Sequence, residues 1–511
     1  MPDLGRAALV ICLGLSAYAT IAGVYAARRG RRRLAGSAQN ALVAAFGATA
    51  VAAGVLLAAL VRRDFSFTYV YEHTSRALPD RYAVSAFWGG QEGSLLLWLL
   101  VLTGFAAAAV FLNRRGAPEL LAWVTPVLAL VTGFFSFLLV AVASPFATQA
   151  APADGLGLNP SLQNPPFLYL GFVGLTVPFA FAIGALLARR TDELWIVSTR
   201  RWTLAAWTFL GFGQLLGAHW AYVEVGWGGF YAWDPVENAA LMPWLAATAF
   251  LHSVMIQEKR GMLKLWNMVL VIGAFCLALF GTFLTRSGVV DSIHSFTQSS
   301  IGPWFLGFIT FVTAGSLALV YLRLPLLRAK TKLESIVSRE AAFLYNNLLL
   351  VAFCLTILWG VVYPILSEAV RGERYTVGAP YYNFFLVVFG VPLLLLMGIG
   401  PLVAWRRASL RSLGKTFAWP AGVSLAAGVA LIALGAGSSA TGLVAYTFCA
   451  FVLASIALEF ARGTRARQAL AGGSVVGRGN YRPSYGERAV LLRKDLDVVA
   501  KELVKTTMMW K

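Results

Sequence analysis

LLLWLLVLTGFAAAAVFLNRRGAPELLAWVTPVLALVTGFFSFLLV, residues 95–140, decides the fold. Two apolar runs flank a short hinge that carries Arg114 and Arg115. Each run is about 20 residues, enough to cross a hydrocarbon core of roughly 30 Å as a helix. No water reaches backbone groups in lipid, so each run must close its own hydrogen bonds, as a helix does. The pattern recurs along the sequence. Thirteen spans are read, at about 5–27, 40–61, 94–112, 118–143, 167–188, 202–222, 240–256, 266–285, 303–322, 342–363, 384–405, 417–436 and 440–460.

Composition agrees. Of the 511 residues, 59% are hydrophobic and 13% charged, and mean hydropathy is +0.70. One soluble core cannot hide that much apolar surface. Segments of about 10 alternating residues, which would mark a membrane barrel, are not found. The expected fold is all-α, a polytopic helical membrane protein of about thirteen transmembrane helices. Its net charge of +19 lies in short clusters between spans. Such clusters set topology and form no nucleic-acid face, so membrane lipid is the expected partner and nucleic acid is not.

The basic clusters fall in every second loop. They include Arg28 to Arg33, Arg114 and Arg115, Arg189 to Arg201, Lys259 to Lys264, Arg323 to Lys332, Arg406 to Lys415 and Arg462 to Arg467. The positive-inside rule then places Met1 outside and the tail from Arg462 inside. The long loops at about 62–93, 144–166, 223–239, 286–302 and 364–383 all face outward and hold Trp, Tyr, His, Asn and Gly. Function is expected there. Three parts follow: residues 1–39, a first helix and basic inner loop; 40–461, a transmembrane core; and 462–511, a polar tail with an amphipathic stretch at 487–508. The first span has no small-residue cleavage site and reads as a retained helix. Cys12, Cys276, Cys354 and Cys449 all lie in apolar runs without a CxxC, and read as small hydrophobic fillers.

The densest motif is WGGFYAWDPVENAALMPW, residues 227–244. Gly228 and Gly229 let backbone approach a flat partner. Trp227, Phe230, Tyr231, Trp233 and Trp244 supply π faces. Asp234 caps a turn before Pro235, and Glu237 and Asn238 follow in the same run. An interfacial aromatic belt explains scattered Trp and Tyr. It does not explain a Gly-Gly pair beside Asp-Pro-x-Glu-Asn, which suits a flat apolar ligand.

Only four histidines occur. His294 lies in an outer loop, His219 near the outer end of the sixth span, and His73 in the first outer loop. His252 lies within the seventh span, where an ionisable residue is costly and a functional candidate. Any of them can serve as a satisfied polar residue; imidazole is also the usual axial ligand of haem iron. The clustered His, Cys or carboxylates that zinc needs are not seen.

Further motifs carry a family resemblance. FWGGQEGSLLLW (87–98), LNPSLQ with PPFLYLG (158–171), the tryptophan motif, GTFLTRSGVVDSIHSF (281–296), YNNLLLV (345–351), YPILSEAVRGERYTVGAPYYN (363–383) and EFARGTRAR (459–467) occur in order. The sequence resembles the CcmF-type cytochrome c haem lyases, whose WWD motif the tryptophan run matches. The resemblance implies a bacterial inner-membrane protein with a periplasmic active face. It implies receipt of haem from a CcmE-type chaperone and thioether attachment to the CxxCH of apocytochrome c, with CcmH- and CcmI-type subunits as partners. It also implies that His294 ligates substrate haem iron, and that His252 ligates a buried haem b that keeps that iron reduced. Where the family has an outer His before Pro-Pro, this sequence has Gln163 and Asn164 before Pro165 and Pro166. His219, or else His73, is expected to replace it. The family's second haem b ligand lies on a further span that has no counterpart here. An ion-coupled transporter and a non-catalytic assembly scaffold are the alternatives; the first would favour more charges inside spans than Glu92 and Glu224 near outer ends.

Overall fold

The structure, a computed structural model, describes residues 1–158, 166–226, 228–290, 300–328, 338–403 and 410–475, with 333 and 335. A described helix lies on each of the thirteen predicted spans, with ends that differ from those read in the sequence. The helices are α1 (Pro2–Arg29), α2 (Arg32–Arg62), α3 (Gln91–Asn113), α4 (Pro118–Ala141), α5 (Phe167–Leu187), α6 (Leu194–Trp220) and α7 (Pro235–Arg260). There follow α8 (Lys264–Ser287), α9 (Gly302–Leu322), α10 (Arg339–Arg371), α11 (Ala379–Ile399), α12 (Leu410–Ala433) and α13 (Ala440–Val475). The polar stretch 487–508 of the tail lies outside the described residues.

Among the described residues twelve helices are long and apolar enough to cross a membrane. The helix that falls short of the expected thirteen is α6. Its Trp202, Trp207, Gln214, His219 and Trp220 dilute the apolar run. Packing holds it against α5 instead. A β-carbon on Gly171 of α5 would meet the Leu210 backbone N at 2.7 Å, and one on Gly213 of α6 would meet the Leu168 N at 2.9 Å. Paired glycines let two helix backbones approach closely where lipid gives no hydrophobic drive to association.

The chain divides into two compact units. The first comprises Met1–Ala247, Leu263–Ala329 and Ile357–Val377; the second comprises Thr248–Met262, Lys330–Thr356 and Gly378–Lys511. In the first, α1 packs on α2 and α4, α2 on α3, α4 on α5, and α8 on α9. Cys12 of α1 sits between them, its thiol 3.3 Å from Thr49 Oγ1 of α2 and 3.2 Å from Ser136 Oγ of α4. Exposed apolar side chains such as Phe111 and Tyr321 remain on helix surfaces for lipid. In the second unit α13 packs on α11 and α12.

In the first unit, loops expected on one face bond to one another. Residues 66–76 and 147–157 knit together through Thr68 N–H to Ala147 O (2.9 Å), Leu156 N–H to Tyr71 O (2.8 Å) and Arg76 N–H to Asp154 Oδ1 (2.8 Å). The Arg76 N–H, with that of Gly155, holds the Asp154 carboxyl below its ordinary range. On the basic side Arg190 pairs with Glu119 at 2.9 Å, and Arg323 Nε–H donates to Leu186 O at 3.1 Å.

Candidate functional site

The tryptophan loop is built by its own sequence. After α6 the chain passes through a π-helical turn, Ala221–Val225, and reverses at Gly226 and Gly228, both with φ of 72°. Glycine adopts this left-handed region without the usual steric penalty. Trp233 also has a positive φ, 61°, which a bulky side chain rarely adopts. The helix that follows is capped on both sides of Pro235. Asp234 Oδ2 accepts the Val236 N–H at 2.9 Å. Glu237 Oε2 reaches back to the N–H groups of Ala232 (3.1 Å) and Asp234 (3.3 Å). This is the reciprocal capping box, with proline at the first helical position.

Asn238 then closes the loop. Its side chain is fully buried. Nδ2 donates to Trp233 O at 3.0 Å, and Oδ1 accepts the Tyr231 hydroxyl at 3.1 Å. Tyr231 and Trp233 meet edge to face at 5.1 Å, and Trp244 stacks on Trp207 of α6 at 5.7 Å. Phe230 stacks on Tyr222 at 4.4 Å, and both rings are more than half exposed. A β-carbon added to Gly228 or Gly229 would meet only open space. The loop is therefore fixed from below and presents apolar rings and bare backbone outward. Trp227 and His294 lie outside the described residues.

The three other histidines differ in setting. His219 is exposed in the last turn of α6, eight residues before Trp227. His73 is enclosed. Its Nδ1–H donates to Tyr69 O at 2.9 Å, its ring stacks on Tyr69 at 4.3 Å, and Nε2 abuts the space a β-carbon on Gly90 would fill. The Tyr69 hydroxyl donates to Ala86 O at 2.8 Å, and burial raises its pKa far above the phenol range. His252 is buried in α7, its Nδ1 3.0 Å from the Asn346 amide of α10, with Phe343 stacked at 5.5 Å. Among the described residues no group of three or more His, Cys, Asp or Glu could hold a bare metal ion. A porphyrin supplies its own equatorial ligands and asks the protein only for axial ones.

Two residues of this region had no assigned role in the sequence reading. Asn346, in the YNN run, reaches His252 across 94 positions. Arg286, near the end of α8, is 2% exposed and lines a cavity of about 190 Å³ with Trp98, Tyr169, Phe172 and Val236. The signal for Arg286 was a lone cation in an apolar run; the signal for Asn346 was an amide pair in one.

Residues 88–290 match the family described as Cytochrome C assembly protein. The chain is 41% identical over 444 residues to the cytochrome c-type biogenesis protein CycK of Rhizobium meliloti, covering 85% of this chain and 66% of that protein. It is 38% identical over 480 residues to CycK of Bradyrhizobium diazoefficiens, covering 90% and 71%. A solved structure of the cytochrome c haem lyase CcmF superposes with a TM-score of 0.75 at 34% identity, over 91% of this chain and 72% of that one. The chain thus spans about two thirds of the length of the relatives it matches. The chain belongs to the CcmF/CycK family of cytochrome c-type biogenesis proteins.

Proposed function

We propose that this chain presents haem to apocytochrome c on the face that carries the tryptophan loop, as the haem lyase component of a cytochrome c maturation system. The observation that carries the reading is the loop itself. A capping box and a buried Asn238 hold it rigid, while Phe230, Tyr222 and the bare Gly228–Gly229 backbone stay open to a flat ligand. Trp227, Tyr231, Trp233 and Trp244 would help position the haem in this reading. In this reading that surface, opposite the basic loops, is the periplasmic face of a bacterial inner membrane.

The reaction adds a cysteine S–H across a haem vinyl C=C. A C–S and a C–H bond form, and no external oxidant or reductant is consumed. No side chain of the loop need act as nucleophile, because the thiol is the substrate's own. The protein's contribution is position, which can supply a large part of such a rate. His294 and His219 would take the substrate iron. His219 is favoured over His73, whose ring edges are occupied by Tyr69 O and Gly90. A CcmE-type chaperone would deliver the haem, and CcmH- and CcmI-type subunits would hold the apocytochrome.

His252 suits an axial ligand of a resident haem b. It is buried among apolar side chains, and the Asn346 amide fixes its ring through Nδ1. In this structure the Asn346 Nδ2–H donates to His252 Nδ1 and orients the ring; Nε2 would take the iron with the amide turned so that its oxygen accepts Nδ1–H. Haem b, when bound, supplies one-electron reduction that keeps the substrate iron ferrous. The test is co-expression with an apocytochrome c and staining for covalent haem. His219→Ala and Phe230→Ala are expected to lower the yield of holocytochrome; full yield and an unchanged haem spectrum in both would refute the reading.

A further inference from the structure

Four helix ends meet beneath the tryptophan loop. The starts of α3, α5 and α7 and the end of α8 supply Trp98, Tyr169 with Phe172, Val236 and Arg286 to one cavity. By the alternation of basic loops these ends all lie on the tryptophan-loop face. The cavity borders α7 at Val236, two residues past the capping Asp234.

Its chemistry is one-sided. The walls are the rings of Trp98, Tyr169 and Phe172, with Trp98 and Phe172 stacked at 6.1 Å. The polar groups that line it are mostly donors. Arg286 carries a guanidinium with five N–H groups. Nη1–H donates to Ser94 Oγ at 2.7 Å, and Nη2–H to the Tyr169 hydroxyl at 3.4 Å. Independently, the indole Nε1–H of Trp98, a residue 3% exposed, finds no acceptor among the described residues. A buried indole N–H normally has one. A guanidinium and an idle N–H in one aromatic cavity call for an anionic oxygen group on an apolar body.

We propose that the Arg286–Trp98 cavity binds a carboxylate arm of the porphyrin presented by the tryptophan loop, and so sets the ring's edge-on orientation. The inference rests on the haem-presentation reading and names a subsite within it. At about 190 Å³ the cavity is smaller than the roughly 300–1,000 Å³ of pockets that enclose a whole ligand. It takes an edge and leaves the rest of the ring to the loop. A lipid phosphate shares the anionic chemistry, but would bring flexible acyl chains where the walls are flat rings.

The test compares iron protoporphyrin IX with its dimethyl ester, which keeps the ring and removes both charges. Full-length detergent-purified protein is titrated with each, and the haem spectrum is followed. The wild type is expected to prefer the diacid by about 10–100-fold, the worth of a charge-assisted hydrogen bond. Arg286→Gln should abolish that preference while ester affinity stays, and Arg286→Lys should keep part of it. Ser94→Ala, a milder change, should alter it only a few-fold. Equal affinity for acid and ester in the wild type, or an intact preference in Arg286→Gln, overturns the subsite and leaves haem presentation standing. Binding of neither porphyrin to the wild type overturns both. Loss of co-purified anionic phospholipid in Arg286→Gln with the porphyrin preference unchanged overturns the subsite in favour of lipid phosphate.

Discussion

Replacing Asn238 with alanine should unlock the tryptophan loop without unfolding the bundle. The side chain is fully buried and makes two hydrogen bonds, 3.0 Å to Trp233 O and 3.1 Å from the Tyr231 hydroxyl. Each such bond contributes about 0.5–1.5 kcal/mol net, so about 1–3 kcal/mol is lost. Those bonds also hold Trp233 at a φ of 61°, a conformation that costs an L-residue about 1–2 kcal/mol and relaxes once the clamp is gone. One to three kcal/mol corresponds to roughly a 5–150-fold rise in the open population. Hydrogen exchange followed by mass spectrometry reads this directly. The amides of Ala232 and Asp234, which donate to Glu237, should exchange faster by that factor, while those of α3 and α4 stay unchanged. Asn238→Asp keeps the acceptor for Tyr231 but cannot donate to Trp233 O, and should fall between. Unchanged exchange at Ala232 and Asp234 in Asn238→Ala would refute the clamp. A uniform rise across α1 to α5 would show a global role instead.

Other perturbations separate backbone, charge and ligand effects. Trp233→Gly should be about 1 kcal/mol more stable than Trp233→Ala in detergent thermal melts, since only glycine sits at that φ without strain. Arg260 lies 3.1 Å from Glu340, whose side chain is 2% exposed. Arg260→Met should therefore cost about 3–5 kcal/mol by leaving a buried carboxylate unpaired, and adding Glu340→Gln should recover most of it. Asn346→Leu removes the bond to His252 Nδ1 and should weaken retention of haem b about 10–100-fold, read as bleaching of the purified protein on dilution.

Much of the fold was legible because lipid imposes a simple rule. Runs of about 20 apolar residues between basic and non-basic loops gave the helices and their alternation. The exception, α6, is the span whose tryptophans, Gln214 and His219 serve packing and the loop at the expense of hydropathy. Within the site, Asp234 before Pro235 announced the cap, because that signal is local, whereas the reach of Glu237 back to Ala232 and Asp234 came only with the structure. Arg286 and Asn346 were not legible as site residues. Their partners lie 192 and 94 positions away, at Ser94 and His252. Only tertiary packing brings them together, and no pattern along one helix encodes it. His73 is a third such case: its contacts with Tyr69, four residues earlier, and with Gly90 are fixed by the folded loop and not by its sequence context.

The central claim, that this chain handles haem, is tested most directly by the absorption spectrum of the purified full-length protein and of its His252→Ala variant. The account predicts a Soret band with the reduced α and β bands of a b-type haem, lost in His252→Ala with the protein still folded by circular dichroism. A colourless wild type after expression with ample haem, or a band that survives unchanged in His252→Ala, would contradict it.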